Sequence, residues 1–292
     1  MNVPQALSRA AARPRPTLPR WSGAAAKHLV LIFVGLAVAY PFYFMVSSGL
    51  KSFFEATSTP PTVIPTELHP ENFADAWSRA PWARFFVNTV FIATVTTLGE
   101  LVTAILAAYA FAQMRFRGKA VVFTILLATY MMPGEATLIP NFVIMSRRYL
   151  NLYDTYWAQI FPFLATAFSI FLLRQQFLGV PAELRDAARI DGAGHLRFLW
   201  SVVLPISVPA LVTVTVISFL GSWNSFQWPL IMTSRPEIQP IQVGLNAFRG
   251  ETSSLYHLLM AAAAFTVAPV VLLYLVAQRY LVQGVARTGI RG

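Results

Sequence analysis

Cysteine is absent from the 292 residues, which excludes disulfides and thiolate-bound metals. Histidine is nearly absent. His28, His69, His195 and His257 fall in four different segments, so no histidine-based metal centre is expected. Charge is also scarce, at 12% of residues against 56% hydrophobic, too little polar surface for a soluble domain of this length. The phosphate-binding pattern G-x-x-x-x-G-K-[ST] is missing. Gly118-Lys119 is followed by Ala120, and Gln113 stands where the first glycine belongs. The sequence therefore lacks that nucleotide site. It also lacks an evident internal repeat and the clustered nucleophiles and acids of a membrane enzyme.

What the sequence has is apolar length. Uncharged stretches cover 28–50, 155–173, 198–234 and 255–278, and two more, 85–114 and 120–146, are each interrupted by one acid, Glu100 and Glu135. A span needs about 20 apolar residues, so the expectation is an all-α membrane protein of six helices, near 29–48, 85–113, 120–146, 156–178, 199–222 and 258–282. The excess beyond 222 reads as a membrane-edge segment. With the N-terminus inside, about two thirds of the basic residues fall on the inner side, which makes both termini cytoplasmic. The net charge of +10 follows from that topology and from anionic lipid, with no need for nucleic acid. Residues 1–28 form a basic, Ala/Pro-rich tail expected to be mobile, and 29–292 a single membrane domain.

Three features interrupt this pattern. Pro60, Pro61, Pro65 and Pro70 enforce an extended external path before the helix-like ENFADAW at 71–77. Within MMPGEATLIP (131–140), Pro133 removes a backbone donor and predicts a kink. The freed carbonyls then require protein or cavity water, so Glu135 points either into the bundle or to its outer interface. Glu100 must face the bundle or a partner, because an acid at mid-bilayer costs about 2.5–3.5 kcal/mol. It serves either structural pairing or solute.

The segment ELRDAARIDGAGHLRFLWSVVLP (183–205) carries the most information. Pro181 suits the first turn of a helix over about 181–192. Glu183 and Asp186 lie near its positive end, and Arg185 and Arg189 share a face at i, i+4. Ala187 and Ala188 keep one side small, and Gly192 permits a left-handed stop. Asp186 and Asp191 are available to basic groups on a partner. The arrangement resembles the cytoplasmic coupling loop of ABC importer permeases. Asp186-Ala187-Ala188 take the places of Glu-Ala-Ala, Gly192 follows at the family spacing, and Val202, Leu204 and Pro205 close the pattern. WNSFQWPLIM (223–232), MMPGEATLIP and the ending QRYLVQGVARTGIRG resemble elements of the sugar and glycerol-phosphate branch, of the maltose-type second permease.

That resemblance implies a type I importer permease in a bacterial-type inner membrane. Its expected partners are a homologous second permease, a dimer of ATPase subunits that holds ATP and Mg, and an external solute-binding protein, all working by alternating access. Glu183, Asp186, Ala187, Ala188, Asp191, Gly192, Leu204 and Pro205 are the expected coupling residues, and the chain binds no cofactor of its own. Trp223, Asn224 and Gln227 combine an aromatic face with amides suited to hydroxyl-rich solutes, although an interfacial aromatic belt reads the same way. Tyr130, Glu135 and Asn141 are further path candidates. An ion-coupled secondary transporter is the alternative, resting on Glu100 and Glu135.

Overall fold

The computed structural model describes residues 20–248 and 255–288, so residues 1–19 of the expected tail, and Arg249, lie outside the described residues. Every regular element among them is helical. Helix α1 (Arg20–Gly49) starts ahead of the expected boundary at 29, so residues 20–28 are helical. Helix α2 (Glu71–Ser78) occupies the ENFADAW stretch as its pattern predicts. Helix α3 (Trp82–Gln113) is 32 residues long and forms the central post.

The next spans are broken, more sharply than the prolines alone suggested. The segment 120–146, expected as one kinked helix, is two: α4 (Lys119–Tyr130) and α5 (Gly134–Met145), at 99° to each other. Pro133 stands at the N-cap of α5 with extended backbone, φ −63° and ψ 138°. A proline there donates no bond back into α4 and disfavours helix at Met132, so the axis turns instead of bending. Helix α6 (Tyr156–Ile160), prolonged by the 3-10 turn Phe161–Phe163, meets α7 (Ala167–Leu178) at 42°.

The surface helix α8 (Ala182–Ile190) follows. Pro181 is its N-cap with ψ 139°, one position outside the first turn expected for it. The run 199–222 likewise fails to form one helix. Helix α9 (His195–Ile206) carries a π-helical turn over Leu199–Val203, and it meets α10 (Val208–Trp223) at 83°. Pro205 and Pro209 flank the corner at Ser207, so two consecutive turns each lose a backbone donor. Helix α11 (Gln227–Met232) is the short segment expected at the membrane edge, and α12 (Tyr256–Thr288) ends the described chain.

Packing centres on α3, which contacts α7 and α10 along its length, while α12 packs on α1, α2 and α10. Ala104 and Ala108, both fully buried and one turn apart, bring α7 close to α3 beside Leu173 and Phe177. Small residues at i and i+4 serve that purpose between membrane helices. The same core takes in Phe198, Leu199, Val203 and Leu204 of α9. A second core joins Ala76 and Trp82 to Ala261 and Ala262 of α12. Gly49 allows the α1 crossing, since a Cβ there would lie 3.0 Å from the Ala261 nitrogen. By length and composition, 25–49 and 82–113 can each cross a bilayer alone, and the three broken pairs can do so if each acts as one span. From Leu29 to Phe42 the face of α1 is exposed throughout, the reverse of a soluble helix and suited to lipid or another apolar subunit.

Candidate solute cavity and coupling surface

Between α3, α7 and α10 lies a cavity of about 520 Å³. Its apolar wall includes Ile92, Phe163, Phe168 and Tyr130, the last two stacked with ring centroids 6.0 Å apart. Its polar wall is built from hydroxyls and one amide: Thr89, Thr96, Gln159, Ser218, Ser222 and Ser225. Two of these groups are buried without a partner among the described residues, the Thr96 hydroxyl and the Gln159 Oε1. The Gln159 amide nitrogen donates to the Ile238 carbonyl at 3.1 Å, which fixes the side chain and leaves its oxygen without a donor. Buried polar atoms are rarely left this way unless a ligand or water completes them.

Glu100 closes one end. Its carboxylate accepts from the Thr166 hydroxyl, from Ser169 Oγ at 2.6 Å and from Ser218 Oγ at 2.5 Å. One buried acid therefore ties α3 to α7 and α10. Among the described residues, no lysine, arginine or histidine lines the cavity.

The residues singled out for a solute path are placed unequally. Tyr130 lines the cavity; Glu135 is exposed and Asn141 half-buried on α5, away from it. Trp223 is buried and stacked on Phe219 at 5.8 Å with no partner for its Nε1 among the described residues, while Asn224 and Gln227 are exposed; none of the three lines the cavity. Their neighbours Ser222 and Ser225 do. Hydroxyls inside apolar runs are too common to be singled out by type, and only the packing of α10 on α3 selects them.

The helical part of the segment expected to couple presents a ridge to solvent. On α8, Glu183, Asp186, Ala187 and Ile190 are exposed and recur at i, i+3, i+4 and i+7, with Ile190 87% exposed. Arg185 and Ala188 face inward, Ala188 against the α3–α7–α9 core. The two alanines therefore split, and only Ala187 offers a small side outward. Gly192 adopts φ +72°. Its N–H bonds the Arg189 carbonyl at 3.0 Å and the Ala193 N–H bonds that of Ala188 at 2.8 Å, the paired bonds of a left-handed helix stop. Asp191 is exposed at the C-cap, Leu204 is buried in the core and Pro205 is exposed.

At the other end of the bundle, two loops are stapled by Asp154, which adopts φ +61°. Its carboxylate accepts from the backbone N–H of Ser234 (2.9 Å) and Arg235 (3.2 Å) and from Arg235 Nε at 2.8 Å. Burial pushes this carboxyl up, but those bonds and the Arg235 charge outweigh it and hold it below the ordinary aspartate value.

Residues 100–287 match the family described as binding-protein-dependent transport system inner membrane component. The chain is 32% identical to the probable ABC transporter permease protein YurM of Bacillus subtilis, over 90% of this chain and 87% of that one. It is 31% identical to the sn-glycerol-3-phosphate transport system permease protein UgpE of Yersinia pestis, over 88% and 94%. It is 30% identical to the arabinooligosaccharides transport system permease protein AraQ of Halalkalibacterium halodurans, over 89% and 94%. A crystal structure of a bacterial ABC transporter that imports the acidic polysaccharide alginate superposes with a TM-score of 0.78 at 25% identity, covering 91% of this chain and 99% of that one.

Proposed function

The chain belongs to the family of inner-membrane components of binding-protein-dependent ABC importers, and from that premise we propose that it carries a neutral, hydroxyl-rich solute such as an oligosaccharide. The carrying observation is the wall of the 520 Å³ cavity: aromatic faces, hydroxyls, one unpaired amide oxygen and no cation. Sugar C–H faces pack on rings, and sugar hydroxyls both donate and accept, which Thr96 and Gln159 require. An anionic solute would instead need donors of positive charge, and the single ionisable group at the closed end, Glu100, is a carboxylate.

In this reading the chain spans the membrane six times, with each broken pair acting as one span, α12 as the sixth, and both termini cytoplasmic. A second permease completes the path, an external binding protein delivers the solute, and ATP and Mg are held by partner ATPases. Closure of those partners presses on α8, and α9 passes the displacement to α10, alternating the access of the cavity. Ion coupling is the weaker reading, because both carboxylate oxygens of Glu100 already accept hydroxyl bonds.

The test uses the assembled complex in proteoliposomes with its binding protein. Uptake should follow neutral oligosaccharides and be unaffected by competing sugar acids or sugar phosphates. Thr96→Val and Gln159→Leu should each lower uptake per complex about tenfold or more while basal ATP hydrolysis persists. Unchanged uptake per complex in both variants would remove the cavity from the path.

A further inference from the structure

Beneath α8 lies a second cavity, of about 280 Å³, lined by Gln113, Met114, Arg115, Arg185, Arg189 and His195. A smaller one, of about 170 Å³, shares Arg185, Arg189 and His195 with it and is backed by Tyr109. The chemistry of this wall is one-sided. Guanidinium groups donate and never accept, and three of them converge here. Arg185 makes one long bond, Nη1 to Gln113 Oε1 at 3.4 Å, while its Nε is sealed from solvent with no acceptor among the described residues. Gln113 is itself held in place, its Nε2 donating to the Phe177 carbonyl at 2.6 Å. Tyr109 and His195 Nδ1 lie 3.1 Å apart and fix the imidazole at the rim.

Among the described residues no carboxylate answers these charges. Among the described residues the only arginine–carboxylate pair is Arg235–Asp154, in the loops at the other end. The acids of α8, Glu183 and Asp186, are exposed and do not line the cavity, nor does Asp191. A concave site of donors with unbalanced positive charge attracts a multivalent oxyanion. Arginine forks match phosphate geometry in particular.

We propose that this cavity binds a phosphate-bearing anion, the headgroup of an anionic phospholipid or a soluble phosphate ester. The anion bridges Arg185 and Arg189 of α8 to Arg115 just beyond α3, and so sets how firmly α8 is held to the bundle. The site is separate from the solute cavity, and its occupancy does not depend on which solute is carried.

The experiment takes the purified assembled complex, wild type and Arg115→Gln/Arg189→Gln. Both side chains are exposed, so their removal leaves the core packing intact. In neutral detergent at matched ionic strength, inorganic phosphate should raise the wild-type unfolding midpoint saturably, and the variant should need about tenfold more phosphate or show no rise. In parallel, native mass spectrometry should show phosphatidylglycerol retained by the wild type from nanodiscs and lost by the variant. A lipid difference without a phosphate response assigns the headgroup; a phosphate response without a lipid difference assigns a soluble ester; both together support a site open to either. Equal behaviour of wild type and variant in both arms overturns the proposal. Should the double variant fail to assemble, Arg115→Gln alone, off α8, replaces it in both arms, and its equality with wild type overturns the proposal in the same way.

Discussion

At the scale of single residues, Glu100 is a buried acid with three partners to lose. Three hydroxyls from two other helices and the turn before α7 point at its carboxylate, and a buried donor left unmet costs about 1–3 kcal/mol. Glu100→Ala should therefore lower the thermal midpoint of the assembled complex markedly. Glu100→Gln, which keeps one acceptor oxygen, should fall between Ala and wild type. If Ala and Gln prove indistinguishable from wild type in a melting experiment, the three-way tie is not a source of stability. Sequence placed Glu100 correctly as a residue that must face protein, because the penalty of lipid exposure needs no coordinates. Its partners were not legible. Thr166, Ser169 and Ser218 are ordinary residues of apolar runs until α7 and α10 are laid against α3. Trp223 shows the converse, a side chain conspicuous by type that the fold uses for stacking on Phe219.

At the scale of elements, α8 turns Ala187 outward and Ala188 inward, and this yields a paired test. Ala187→Arg places charge on the exposed ridge and should leave the complex assembled while reducing transport per ATP hydrolysed. Ala188→Arg forces the same charge against the core and should reduce the amount of complex recovered. Size-exclusion yield and coupled transport assays separate the outcomes, and identical behaviour of the two variants would contradict the assigned faces. The stop at Gly192 was readable from the chain, since a glycine after a short amphipathic helix has one usual purpose. The breaks were only half readable. Pro133 announced a lost donor, but whether a lost donor produces a kink or a turn of 99° depends on what packs beside it, and the break at Ser207 was not expected at all.

At the scale of the molecule, the two unbroken spans and three broken pairs give five crossings if each pair acts as one, and α12 must supply the sixth. Accessibility labels at Arg117 and Gly192 should report one side of the membrane and a label at His69 the other; opposite sides for Arg117 and Gly192 would refute the arrangement. Apolar run length made the membrane class and most helix locations legible. The start of α1 at Arg20 was not, because basic and alanine-rich residues fit a tail and an interfacial helix turn equally well. The cavity was the least legible feature, being a property of three helices from distant parts of the chain and of none alone.

The corner at Ser207 gives the proposed coupling a mechanical form. Taken as one rigid body, α9 and α10 are the two arms of a bell crank pivoted at 83°, with lengths of about 18 and 24 Å at 1.5 Å per residue. A push across the short arm, beside α8, emerges as a sideways sweep of the long arm, enlarged by about one third. Ser218 and Ser222 ride on that arm, so the stroke delivered at one surface reappears at right angles in the wall that faces the solute. Ser218 is also bonded to Glu100, which makes that bond the detent the crank must either drag along or release.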